Sequence, residues 1–242
     1  MDKLVGVLFV ALPYVALAIF IIGSIYRYKH QGYKVSSLST QIIESKVLYW
    51  GSHSFHIGIV MLFLGHLIGF LFPYTLIAWG GVPARIIAIE IGALAFAILA
   101  IFGLFSLLFR RLTNPALLKV TSIMDYVIYS LLIVQVVIGI DTALLYKWGT
   151  LWYASSLVPY LKSIFIFSPD IKTIVDMPFF VQLHVSLAFV IVAMIPFSRL
   201  MHILVFPFVF IGRAAQIFIW NRDPKTHRGS RKMFQGKVPG KN

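Results

Sequence analysis

Long apolar runs, separated by short polar segments, dominate the pattern of this chain. A helix that crosses a bilayer needs about 20 predominantly apolar residues. Five runs reach that length, at residues 4–25, 48–72, 86–109, 123–145 and 179–200. The pattern therefore predicts an all-α integral membrane protein with five transmembrane helices.

Another apolar stretch, at residues 151–167, is too short to cross a bilayer by this criterion. It also contains Pro159 and Lys162, which disfavour a regular helix inside the hydrocarbon core. We expect an interfacial or re-entrant element between the fourth and fifth helices.

The fifth run continues as a broken apolar stretch over residues 202–220, and a polar, basic segment follows it. This change in composition predicts a transmembrane domain over residues 1–220 and a C-terminal tail over residues 221–242. The tail has no core of its own, so we expect it to be disordered alone or ordered against a partner protein or anionic lipid headgroups. A simple solvated anchor explains its composition equally well.

The composition supports the membrane assignment and restricts the chemistry. Of the 242 residues, 60% are hydrophobic and 12% are charged, whereas a soluble domain is about half apolar and a quarter charged. The chain has no cysteine, which excludes disulfides, cysteine-ligated iron–sulfur clusters, thiolate zinc sites and a cysteine nucleophile. Any redox or metal chemistry must therefore use histidine, methionine or carboxylate groups.

The formal net charge of +13 is unevenly distributed among the segments between the apolar runs. Basic residues concentrate after the first helix, after the third helix and in the tail. Short loops rich in Lys and Arg stay on the cytoplasmic side of a membrane. The charge pattern predicts an N-terminus outside and a C-terminus in the cytoplasm.

Four histidines lie in or beside two of the predicted helices. His56 and His66 are on the second helix, while His184 and His202 belong to the fifth helix and its continuation. Ionisable residues at membrane depth are costly and usually functional. Because the two helices run in opposite directions, His56 and His202 lie toward the cytoplasm, and His66 and His184 toward the outside. Each cross-helix pair suits the two axial positions of a b-type haem.

The spacing of the two helices makes one demand on this arrangement. His56 and His66 are separated by about 15 Å of helical rise, whereas His184 and His202 are separated by about 27 Å in a straight helix. The pairing therefore requires the fifth helix to tilt strongly or to bend at Pro196, where proline removes a backbone hydrogen bond.

Three glycines, Gly58, Gly65 and Gly69, follow one another along the second helix. Small residues of this kind allow close packing of transmembrane helices, which is the interpretation we favour. The functional alternative is room for a flat macrocycle beside His66, for which Gly65 is the best candidate.

The sequence around the four histidines resembles the gamma subunit of membrane-bound respiratory nitrate reductase. The resemblance is carried by residues 55–59, 65–66, 183–184 and 196–203, and it extends from about residue 13 to residue 213. It implies a cytochrome b fold in which five transmembrane helices enclose two stacked haems b. The family's outer haem takes the ligands matching His66 and His184, and its inner haem takes those matching His56 and His202.

The same resemblance implies an activity and a set of partners. The family is an electron-transfer subunit in the cell membrane that oxidises quinol near the outer face. It passes the electrons through both haems to an iron–sulfur beta subunit and then to a molybdenum alpha subunit that reduces nitrate. The lack of cysteine in this chain fits that division of labour.

Several further residues are candidates for binding the haems or the quinol. Arg27, Arg111 and Arg199 are candidate partners of the inner haem propionates, and each is equally explained as a positive-inside anchor. Arg85 aligns with a lysine that the family has near the quinol, so we expect Arg85 and Gly65 at that site. Arginine keeps the positive charge but presents a wider, planar donor group.

Three alternatives remain open from the sequence alone. The same two-haem quinol dehydrogenase is compatible with service to another oxidoreductase, such as a sulfur-cycle or oxyanion enzyme. A haem-free transporter would use the histidines as a proton path, and a haem-free anchor would only recruit a cytoplasmic complex. Both haem-free alternatives predict a colourless protein.

Overall fold

Each predicted transmembrane run forms a long helix in the computed structural model, which describes residues 2–31 and 46–204. Five candidate spans, Leu4–His30, Lys46–Leu71, Pro83–Thr113, Ile123–Leu145 and Phe179–Phe197, are long and apolar enough to cross a membrane, and the described residues contain no strand. The helices are α1 (Leu12–Gln31), α2 (Lys46–Leu71), α3 (Pro83–Thr113), α4 (Ile123–Leu145) and α5 (Phe179–Met194). The prediction of an all-α membrane protein is confirmed.

The apolar surface of these helices faces outward. In each candidate span, only 17–28% of the most apolar window is buried inside the protein. A soluble helix of this length would bury its apolar stripe against a core. The helices therefore expose the surface that lipid covers in a bilayer.

Local sequence explains where several helices begin. α3 begins at Pro83, and proline suits the first helical turn, where its missing N–H costs nothing. α4 begins with a capping box, in which the Ser122 side chain accepts from the Asp125 N–H and the Asp125 carboxylate accepts from the Ser122 N–H. α1 is preceded by a short helix, Asp2–Gly6, and a π-helical turn, Val7–Ala11.

The predicted end of the fifth helix at residue 200 is wrong, because α5 ends at Met194. Pro196 has no N–H, and the Val192 carbonyl accepts instead from Ile195 in a tighter turn. A 3₁₀ turn over Ile195–Phe197 follows, and Ser198 is extended, with φ −119° and ψ 178°. The bend that the histidine spacing required is therefore present at Pro196.

The length of α5 also resolves the mismatch in rise. α5 continues for ten residues beyond His184, which is about 15 Å and equals the rise between His56 and His66. The following segment, Arg199–Ile203, is a separate 3₁₀ helix that carries His202. His202 thus lies beyond the break rather than further along the α5 axis.

Close packing joins α2 to α3, whereas α5 packs mainly on α1 and α4. A Cβ atom on Gly58 would lie 2.6 Å from the Ala100 nitrogen and the Phe96 carbonyl oxygen. A Cβ on Gly103 of α3 would collide with the backbone of α2 at Phe55. These contacts confirm the packing role predicted for Gly58. The two histidine-bearing helices therefore have different main neighbours, and their imidazoles meet across the space between them.

The connection between α4 and α5 is helical and covers the N-terminal part of the chain. It contains Gly149–Trp152, a π-helical turn at Tyr153–Leu157, Val158–Phe165 and Lys172–Val175. The buried Tyr160 hydroxyl donates a 2.9 Å hydrogen bond to the Phe9 carbonyl. This connection is not among the five candidate spans of the described chain, and its interfacial position stays a prediction.

Residues 205–242 lie outside the described residues. The predicted apolar continuation to residue 220, the boundary at residue 220 and the basic tail fall there, except for residues 202–204.

Candidate functional site

The four membrane histidines meet in two pairs. The ring centres of His56 and His202 are 6.2 Å apart. Those of His66 and His184 are 6.5 Å apart, with the rings inclined by 29°. These are the two cross-helix pairs that the topology predicted.

The spacing within each pair fits one metal ion between two imidazoles. An imidazole nitrogen binds a metal at about 2.0 Å, and the ring centre lies about 1.1 Å farther back, so two rings on opposite sides of one ion are about 6.3 Å apart. Both observed distances are close to this value. The spacing is therefore compatible with two axial imidazoles on one haem iron, and the rings of the inner pair are inclined by 61°.

Three of the histidines have a hydrogen bond at Nδ1 that leaves Nε2 available for a metal. In each, Nδ1 lies within hydrogen-bonding distance of a backbone carbonyl, which can only accept. Nδ1 must then carry the proton, and Nε2 keeps its lone pair. The carbonyl oxygens are those of Ser52 for His56 (2.7 Å), Leu62 for His66 (2.8 Å) and Arg199 for His202 (2.6 Å).

His184 has a different environment, which sequence reasoning did not identify. The Gln135 side-chain amide of α4 lies 3.2 Å from both His184 Nε2 and the His184 carbonyl oxygen. His184 Nδ1 and Gln135 Oε1 are buried without a hydrogen-bond partner among the described residues. A Cβ on Gly139 would lie 3.0 Å from His184 Cε1, so this glycine makes room for the ring. The sequence feature that could have indicated this contact is Gln135 itself, an amide side chain in the middle of an apolar helix.

These pairs suit a haem better than a bare metal ion. Within residues 2–31 and 46–204, no three His, Cys, Asp or Glu side chains cluster to hold a metal. A haem needs only two protein ligands, because its macrocycle supplies the other four donors.

The glycines of α2 differ in their surroundings. A Cβ on Gly65 would meet no other group within 4 Å, so open space lies beside Gly65, next to His66 in the sequence. At Gly69 a Cβ would lie 2.7 Å from the Tyr153 ring. Gly69 therefore serves packing, as predicted, but the favoured packing interpretation is wrong for Gly65. The macrocycle or quinol role of Gly65 stays a prediction.

Tyr153 from the α4–α5 connection contacts His66 of the outer pair. Its hydroxyl donates a 2.9 Å hydrogen bond to the His66 carbonyl, and its ring lies nearly perpendicular to the His66 imidazole at 5.5 Å. Burial raises the pKa of Tyr153 to about 12. The sequence did not predict this contact, because it depends on how the connection folds back.

Arg27 contacts the break after α5. Its Nη1 donates to the Pro196 carbonyl at 2.6 Å and to the Ser198 carbonyl at 2.7 Å. These carbonyls lie where the α-helical hydrogen-bond ladder is interrupted, so they need donors from elsewhere. Arg27 thus stabilises the bend, and its predicted contact with a haem propionate stays a prediction.

Arg111 and Arg199 both pair with one buried carboxylate. Arg199 Nε lies 2.7 Å from Asp125 Oδ1, and Arg111 Nη1 lies 3.8 Å from Asp125 Oδ2. Arg111 also donates to the Tyr129 hydroxyl at 3.2 Å and to Thr121 at 3.1 Å. The sequence placed these cations near one face but did not reveal their shared partner. Their predicted role as propionate ligands stays a prediction.

Arg85, the candidate quinol contact, lies near the start of α3 and is exposed. Its guanidinium stands 5.5 Å from the centre of the Trp79 ring, and Nη1 lies 3.5 Å from the Trp79 carbonyl oxygen. An arginine over an aromatic face is held by the cation–π attraction. Its assignment to quinol stays a prediction.

Comparison with known proteins identifies the family. The family described as "Nitrate reductase gamma subunit" matches residues 5–221. The nitrate reductase gamma chain of Bacillus subtilis is 30% identical over 210 residues, which cover 86% of this chain and 94% of that protein. The respiratory nitrate reductase 2 gamma chain of Escherichia coli is 31% identical over 211 residues, which cover 85% and 92%. The chain belongs to the nitrate reductase gamma subunit family and is a membrane subunit of a nitrate reductase.

Proposed function

We propose that this chain is the cytochrome b subunit of its complex, with one haem b at each histidine pair. The observation that carries the proposal is the pair spacing of 6.2 Å and 6.5 Å across two helices that have different main neighbours. In a haem protein, four histidines arranged in this way would serve as the axial ligands of two haems. A structural anchor would not require them.

When bound, a haem b supplies one-electron transfer at each pair. The chain supplies the axial imidazoles and fixes their orientation. Nδ1–H bonds at His56, His66 and His202 leave Nε2 free and increase its basicity. On α4, Gln135 and Gly139 set the position of the fourth imidazole, that of His184.

We further propose that quinol is oxidised beside the outer pair and that electrons leave from the inner pair. The charge distribution supports an outer position for His66 and His184, because the basic segments flank the opposite end. Arg85 is the candidate cation for the quinol oxygens, and the open space at Gly65 is the candidate position for the ring. Protons from quinol would then leave outside while electrons cross inward.

The proposed partners follow from the family and from the charge pattern. An iron–sulfur beta subunit would accept the electrons on the cytoplasmic face, and a molybdenum alpha subunit would reduce nitrate. Copurification of both subunits with quinol-dependent nitrate reduction is the expected result. Copurification with an enzyme that reduces another acceptor would favour the alternative quinol dehydrogenase.

The deciding experiment is a reduced-minus-oxidised spectrum of the purified full chain with haem quantitation. We expect two haems b per chain. His66→Ala and His184→Ala should each remove the outer haem. His56→Ala and His202→Ala should each remove the inner haem.

His53→Ala is the matched control, because His53 is an exposed histidine of α2 whose Nδ1 lies 2.8 Å from the Tyr49 carbonyl oxygen. It should retain both haems. A folded wild-type protein without haem would overturn the proposal and favour a haem-free transporter or anchor.

A further inference from the structure

The segment that carries His202 is held in place by contacts with other parts of the chain. Ser198 interrupts the helix, and Arg199–Ile203 forms only a short 3₁₀ helix. Short 3₁₀ segments have weaker hydrogen-bond geometry than an α-helix. The direction of the His202 imidazole must therefore depend on tertiary contacts.

Two contacts in series connect His202 to α4. The Arg199 carbonyl oxygen lies 2.6 Å from His202 Nδ1. The side chain of the same arginine pairs with Asp125 at 2.7 Å and donates to the Val120 carbonyl at 3.1 Å. We propose that Asp125 is a positioning residue for His202, acting through Arg199.

Asp125 is suited to this role because it is fixed itself. It occupies the first turn of α4, where its Oδ2 accepts from the Ser122 N–H at 2.9 Å. Its side chain is only 5% exposed, and its Oδ1 faces Arg199. A buried charge pair with good geometry resists displacement, because separating it would leave an uncompensated charge in a medium of low dielectric constant.

The outer pair depends on other contacts. His66 and His184 lie within the regular helices α2 and α5. Among the described residues, their imidazoles are contacted by Leu62, Gln135, Gly139 and Tyr153 rather than by Arg199. A change at Asp125 should therefore affect the inner site selectively. The inference rests on the proposed haem function, because it concerns the ligand geometry of one haem.

The test compares the two haem signals of the full chain in Asp125→Asn. Low-spin ferric electron paramagnetic resonance lines and redox midpoints report ligand geometry at each haem, and the histidine variants assign each signal to its pair. Groups that hold a metal-ligating histidine typically contribute about 10–100-fold in affinity. We expect the inner haem to be lost about tenfold faster and its resonance line to shift, with the outer haem unchanged.

Two further variants keep the test decisive. Asp125→Glu preserves the charge and suits the capping box, but its longer side chain displaces Arg199. It should therefore shift the inner signal in a folded protein. Tyr129→Phe removes the hydroxyl that accepts from Arg111 and leaves the Asp125–Arg199 pair intact, so both signals should stay as in the wild type.

The possible outcomes separate this inference from the proposed function. A wild-type chain without haem overturns the proposed function. If the wild type holds two haems, unchanged inner signals in both Asp125 variants overturn only the positioning role. Equal changes at both haems in Asp125→Glu also overturn it, because they indicate a general loss of packing.

Discussion

Close packing at Gly58 predicts how a larger side chain would affect the stability of the α2–α3 pair, in which α2 carries His56 and His66. A Cβ at this position would lie 2.6 Å from a backbone oxygen and a backbone nitrogen of α3. Ordinary carbon–oxygen contacts are about 3.3 Å or longer, so α2 and α3 would have to separate by roughly 0.7 Å. Neither contact can be relieved by a side-chain rotation.

The expected cost of Gly58→Ala follows from two opposing terms. Overpacking costs about 1–3 kcal/mol, and replacing a helical glycine with alanine recovers about 0.5–1 kcal/mol. From the middle of each range, the net loss is about 1 kcal/mol in the free energy of unfolding. For a chain of this size, such a loss lowers the unfolding midpoint by roughly 2–4 °C.

Thermal unfolding in mild detergent at a fixed scan rate measures this effect. Gly92→Ala is the matched control, because Gly92 lies on α3 and a Cβ there meets nothing within 4 Å. That variant should keep or raise the midpoint. An equal midpoint for Gly58→Ala and Gly92→Ala would refute the packing argument.

Three other substitutions give separate tests. Arg27→Ala removes the donor to two carbonyls at the α5 break and should cost about 1–3 kcal/mol, measured as a lower melting midpoint that Arg27→Lys partly restores. Tyr153→Phe removes a group whose pKa is raised from 10.0 to about 12. The unfolded chain therefore loses this proton first, and wild-type stability should fall relative to the variant between about pH 10 and pH 12, in alkaline melting curves. A constant difference over that range would contradict this account. Gly139→Ala places a methyl group 3.0 Å from the His184 ring and should reduce haem content at the outer pair alone, whereas Gly92→Ala should keep both haems.

Hydrophobic patterning predicted the helices well because each span is a local property of the sequence. α4 has the predicted limits, since Ser122 and Asp125 define its start. α1 and α3 continue past the predicted ends at residues 25 and 109, because backbone hydrogen bonding continues through the polar flanks. The first eight residues of the first predicted run belong to the short helix and the π-helical turn that precede α1. The end of α5 was missed by six residues, although Pro196 marked the place where the helix had to bend.

The histidine pairs were predictable because alternating helix direction fixes which ends of two helices lie together. Their neighbours were not, because those contacts join elements far apart in the sequence. Gln135 meets His184 from another helix, and Tyr153 reaches His66 from a folded connection. The ion pairs of Asp125 were not predictable either, because its arginine partners lie on two other elements.

The break after α5 also determines how this chain tolerates changes in length. Within a continuous α-helix, one inserted residue turns every later side chain by about 100°. At Ser198 the backbone is extended, and the following segment is oriented by Arg27 and by the Asp125–Arg199 pair. A one-residue insertion or deletion is therefore best absorbed at this junction, whereas the same change between His184 and Met194 would rotate the break and the segment beyond it relative to His184.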